Sequence, residues 1–149
     1  MATQAQVAAL YQKKIRELGA QVRADRRLVD PDITVTKRSR VCGSSVTLDF
    51  RFRGKRIEAI GYRTRACSLV MAATAILVRI GAGHDAEDIG QAKTALADLL
   101  MGKRDMMPAD WQTLDVFAAA IPFPARHSSI LLPFEAAAAS FRSLVNDSS

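Results

Sequence analysis

Cysteine is scarce in this chain: Cys42 and Cys67 are the two it has. So few exclude a disulfide framework, and they leave the pair open to metal or redox chemistry or to burial as small apolar side chains. The opening MATQAQVAALYQKK has no basic stretch followed by an apolar one, so it does not read as a secretory signal, and a cytoplasmic location is expected. Nor is there an apolar run approaching the ~20 residues that span a bilayer. The longest, Ala66 to Val78, suits a buried helix. Internal repeats, low-complexity tracts, a phosphate-binding glycine loop, paired carboxylates and a serine-histidine-acid set are missing too, so nothing supports an enzyme. A binding protein, not an enzyme, is the expectation.

At 149 residues, 49% hydrophobic and 24% charged, the composition is that of an ordinary globular chain, read as one domain over 1–149. Loose ends are expected at about 1–3 and 146–149. Positive charge is what the chain has in excess, with a net +6. Lys37, Arg38, Arg40, Arg51, Arg53, Lys55, Arg56, Arg63 and Arg65 face only Asp49 and Glu58 between positions 37 and 65. Such a field attracts an acidic protein, nucleic acid or an anionic membrane without distinguishing them.

The hydrophobic spacing gives the order of elements. Val7, Leu10, Tyr11, Ile15 and Leu18 predict an amphipathic helix over about residues 3–19. After a polar, arginine-rich linker, ITVTKRS begins a strand. SVTLDFRFR then alternates, with Val46, Leu48, Phe50 and Phe52 on one face and Thr47, Asp49, Arg51 and Arg53 on the other. That alternation puts both phenylalanines away from the arginines, so a stacking platform for nucleic acid is not indicated. Gly54 and Lys55 turn the chain into RIEAIGYRT, making residues 45–64 a hairpin. Helices follow over 67–80 and 86–101, then a short one through Trp111, Leu114 and Phe117 with Asp110 as its cap, and a last one carrying Phe134, Ala138, Phe141 and Val145. The expected fold is α+β, a three-stranded antiparallel sheet with one helix before it and four after it, all packed on one side.

In an up-and-down sheet the end of the first strand and the end of the third lie on the same rim. Cys42 and Cys67, 25 positions apart, can therefore converge. Cys67 opens a helix, where unpaired N–H groups favour negative charge, and Gly43 permits a sharp turn or a close approach beside Cys42. A thiol-disulfide couple is geometrically allowed, but the pair lacks CxxC spacing.

The stretch CGSSVTLDFRFRGKRIEAIGYRTRACSLVMAATA resembles the core of the U-type iron-sulfur scaffold family (IscU, SufU and the N-terminal domain of NifU), whose pattern is NPxCGD, a hairpin, then GxGCxxSxAS opening a helix. FPARHSSILLPFEAA is similar to a second family segment, approximately PxRVKCATLPWxAL, and together the two blocks extend the resemblance over about residues 33–142. The resemblance implies transient assembly of an iron-sulfur cluster, or zinc binding, at a rim site fed by a cysteine desulfurase and emptied by downstream acceptors. Cys42 and Cys67 match the first two family cysteines. Ser44 stands where the family has aspartate, the AsnPro before the first cysteine is missing, and Ala66 replaces the glycine before the second cysteine. The third cysteine becomes Ser129 in an ungapped match, or Ser128 in a register that sets His127 on a family histidine. Three readings stay open: His127 completes a labile site with the two thiols, two chains share one cluster through four cysteines, or the fold has lost its metal and docks an acidic protein or nucleic acid through its basic face.

Overall fold

The structure is a computed structural model that describes residues 3–41 and 43–147. Thr3 and Gln6 form a reciprocal capping box that starts helix α1, Gln4–Ala20. Strands β1 (Ile33–Arg38), β2 (Ser45–Arg53) and β3 (Arg56–Arg65) make one antiparallel sheet in the order β1-β2-β3. Helices α2 (Ser68–Ile80) and α3 (Ala86–Leu100), a 3₁₀ helix over Ala109–Ala120, a 3₁₀ turn at Pro124–Arg126 and helix α4 (His127–Asp147) complete the chain. This is the expected α+β architecture, with the helices on one face of the sheet.

The apolar residues of β2 define that face. Val46, Leu48 and Phe50 are fully buried, while Phe52 is partly covered by the ring of Phe141, 5.2 Å away. The turn after β2 needs a left-handed residue, supplied by Gly54 at φ 62°. A register shift between Arg51 and Phe52 twists the far end of the hairpin. Helix α2 is buried on most sides, as its all-round apolar sequence requires, and Phe117 and Phe134 close the core from the 3₁₀ helix and α4.

Asp49 corrects the reading of the opposite face. Alternation assigns it to the solvent side with Thr47 and Arg51, yet it is fully buried. The linker of residues 21–32 crosses the outer face as a strap. Arg26 exchanges backbone hydrogen bonds with Tyr62, at 2.9 and 2.8 Å. Arg27 then donates from Nε and Nη2 to the Asp49 carboxylate at 2.7 and 3.0 Å, joined by Leu28 N–H at 3.1 Å and Thr34 Oγ1 at 2.7 Å. Burial works to raise the Asp49 pKa, but the bonds from Arg27, Thr34 and Leu28 outweigh it and hold the carboxyl below the usual carboxylate range. The strap also explains Gly61, where a Cβ would lie 2.5 Å from Leu28 N and 2.9 Å from Arg26 O.

Three local expectations are amended. The stripe on α1 is buried only at Ile15 and Leu18, while Leu10 is 50% exposed; the side chain of Val7 lies outside the described residues. The helix through Trp111 is 3₁₀, its N-cap is Pro108 and not Asp110, and its backbone kinks at Trp111 (φ −118°, ψ 20°). On α4, Val145 falls off the buried stripe and is 69% exposed.

Candidate rim site

Register brings the site together. Arg38 pairs with Ser45, and Ser45 with Arg65, so the end of β1, the start of β2 and the end of β3 share one edge of the sheet. The loop 39–44 and the residues that follow β3 therefore meet there. Cys67 is the N-cap residue of α2, extended at φ −70°, ψ 166°, and half-buried; its side chain makes no capping bond. The buried Ser44 Oγ accepts the Cys67 N–H at 3.1 Å, so a hydroxyl from the loop caps the first turn in its place.

A second tie reaches α4. Ser39 Oγ lies 3.0 Å from Oγ of the fully buried Ser129, and also accepts the Val41 N–H at 3.2 Å. Ser39 N–H donates to Ser44 O at 2.8 Å, closing the loop on itself. Three chain segments are thus fastened at one rim: the loop after β1, the start of α2 and the first turn of α4. Cys42, the other expected ligand, lies outside the described residues. Its neighbour Gly43 has φ 69°, and a Cβ there would meet nothing within 4 Å, so the glycine serves a turn and not a close approach.

His127 begins α4 and is half-buried. Its Nε2 is 2.8 Å from Ala120 O. A carbonyl oxygen only accepts, so Nε2 carries the hydrogen and Nδ1 of the neutral ring carries the lone pair. Ser128 is exposed in the same turn. Among the described residues no group of three or more His, Cys, Asp and Glu side chains comes together to hold a metal ion.

The charge around Cys67 is more balanced than sequence proximity indicates. Arg63 and Arg65 both turn to Asp25 on the strap, at 3.6 and 3.1 Å. Reading the sequence missed Ser39 as a tie and the strap carboxylates, whose partners are remote in the chain. It also missed an apolar groove of about 510 Å³ where Ile15 of α1 faces Leu69 of α2 and Phe123.

Residues 6–128 match the family model described as the NifU-like N terminal domain, and the chain belongs to that family. Its fold is similar to the crystal structure of a nitrogen-fixing NifU-like protein (N-terminal) from Brucella abortus, with TM-score 0.84 and 26% identity over 91% of this chain and 94% of that one. It also resembles a putative iron-sulfur cluster assembly scaffold protein for the SUF system from Fervidobacterium islandicum AW-1, with TM-score 0.79 and 17% identity over 89% and 97%. No curated protein matches. Among the described residues no helix is long and apolar enough to cross a membrane.

Proposed function

We propose that this chain is an assembly scaffold, or sulfur- and iron-handling protein, of iron-sulfur cluster formation, with Cys42 and Cys67 as its thiolate ligands and His127 as the third donor. The observation that carries the reading is the fastening of three segments at one rim by the Ser44 bond to Cys67 and the Ser39 bond to Ser129. Those segments contain Cys42, Cys67 and His127. Metal-bound histidines characteristically donate their other ring N–H to a carbonyl or carboxylate, as His127 donates to Ala120 O. That bond orients the ring and leaves Nδ1 as the ligating atom.

Two thiolates and one imidazole form a Cys2His set with one open position, a set zinc also accepts. Iron-sulfur clusters are normally held by four thiolates, so this set holds its cargo loosely and suits transfer to an acceptor. The Ser129 hydroxyl is a weak neutral donor beside a thiolate, and its bond to Ser39 supports a structural part for it. Sulfur would come from a cysteine desulfurase, whose persulfide must reach the half-buried Cys67.

The test is the iron, labile sulfide and zinc content of protein purified without oxygen. Wild type retains metal, Cys42→Ser and Cys67→Ser lose it, and His127→Ala retains less. Equal content in wild type and both serine variants would overturn the proposal.

A further inference from the structure

The sheet has one edge partly covered by backbone bonds and one open edge. On the outer side of β3, Tyr62 exchanges backbone bonds with Arg26, Ile57 N–H donates to His84 O at 3.0 Å, and Gly83 N–H donates to Ile57 O at 2.8 Å. On β1 the ladder runs the other way. Ser39 N–H bonds Ser44 O, which sets the alternation: Ile33, Val35 and Lys37 exchange bonds with Phe50, Leu48 and Val46, and the peptide groups of Thr34, Thr36 and Arg38 face outward. All three residues are exposed, and none has a backbone partner on that side among the described residues. An open edge of this length is a template for another strand.

Charge selects the occupant. Residues 21–65 carry twelve Lys and Arg against five Asp and Glu, a net +7 in a chain of net +6, so the helical remainder is close to neutral. Within that excess, Asp25 pairs with Arg63 and Arg65, Asp49 with Arg27, and Glu58 with Arg53. Lys37, Arg38 and Arg40, on and just after β1, have no ion-pair partner among the described residues. Two copies brought together at this edge would set like charges against each other. Nucleic acid has no chain of alternating N–H and C=O groups to answer Thr34, Thr36 and Arg38.

The geometry points to β1 as a docking edge for an extended acidic segment of a partner protein, added as a fourth strand with its carboxylates against Arg38 and Arg40. Backbone bonds to Thr34, Thr36 and Arg38 supply affinity, and the carboxylates supply selectivity. No cysteine takes part, so the inference stands apart from the cluster-assembly reading.

The test uses the full chain with both cysteines in place and the capped peptide TVEVEVE at millimolar concentration, with TVKVKVK as its counterpart. Amide hydrogen exchange followed by NMR reads the edge directly. The acidic peptide slows exchange at Thr34, Thr36 and Arg38 at least several-fold, and added salt weakens the effect. Thr36→Pro removes an outward N–H and the hydroxyl contact with Thr47 but no backbone bond to β2, and abolishes the protection. Arg38→Glu leaves the backbone unaltered and shifts preference to the lysine peptide. Absence of protection, equal protection by both peptides, displacement of the acidic peptide by an oligothymidylate, or protection that rises with protein concentration alone would each overturn the inference.

Discussion

Ser44 Oγ accepts the backbone N–H of Cys67 at 3.1 Å, so the loop after β1 caps the helix that follows β3. Replacing a serine cap by alanine costs about 1 kcal/mol, which for a chain of this size is a drop in Tm of about 2–4 °C. Ser44→Ala is therefore expected to melt a few degrees lower than wild type. Amide exchange at Cys67 should quicken in the variant, whereas exchange in α3 should be unchanged.

The strap gives a pH dependence with a definite sign. The folded-state pKa of Asp49 is lowered, so its contribution is fully present above the unfolded value of about 4 and is lost as pH falls through the folded value. Arg27 is 44% exposed and rehydrates when the pair breaks, which keeps the loss in Asp49→Asn to about 1.5–3 kcal/mol at neutral pH. Urea titrations between about pH 7 and about pH 3 should show wild type converging on the variant as the pH is lowered.

Gly61→Ala drives a methyl group into backbone atoms of Leu28 and Arg26 that have no side-chain freedom with which to yield. The expected cost is about 1–3 kcal/mol. Because Gly61 and Asp49 hold the same strap, the double variant with Asp49→Asn should lose less stability than the sum of the single losses. Strict additivity in denaturant melts would show that the strap is not one unit.

Ser129→Cys supplies a third thiol in the first turn of α4, at the cost of the hydroxyl contact with Ser39. Thiolates bind iron and zinc far better than a neutral hydroxyl does. The variant is expected to retain more iron and labile sulfide after anaerobic reconstitution than wild type, measured by metal analysis and visible absorption.

Phe134 is fully buried and meets Trp111 edge-on at 5.7 Å, joining α4 to the 3₁₀ helix. Phe134→Ala should cost about 3–5 kcal/mol. Trp111 is the sole tryptophan, so its emission should shift to longer wavelength as the ring gains contact with water.

The hairpin, the all-apolar α2 and the shared rim were legible in the sequence, because strand alternation, helical spacing and an up-and-down connection act over neighbouring residues. The burial of Asp49 was not legible. Alternation assigns a residue to a face of the sheet, but what covers that face is decided by Arg27 and Leu28, more than twenty positions away. The spacing around Trp111 predicts a helix but does not separate a 3₁₀ helix from an α-helix over so few turns.

By itself the sequence determined the order of the elements, the two thiols, the serines where the scaffold pattern has aspartate and cysteine, and the basic half of the chain. Only the tertiary structure decided that Ser44 caps Cys67, that Ser39 meets Ser129, that Ala120 orients His127, and that β1 keeps an open edge. Each of these depends on hydrogen bonds made, or left unmade, between different elements of the fold, and residue identity carries no record of which donor an acceptor will meet.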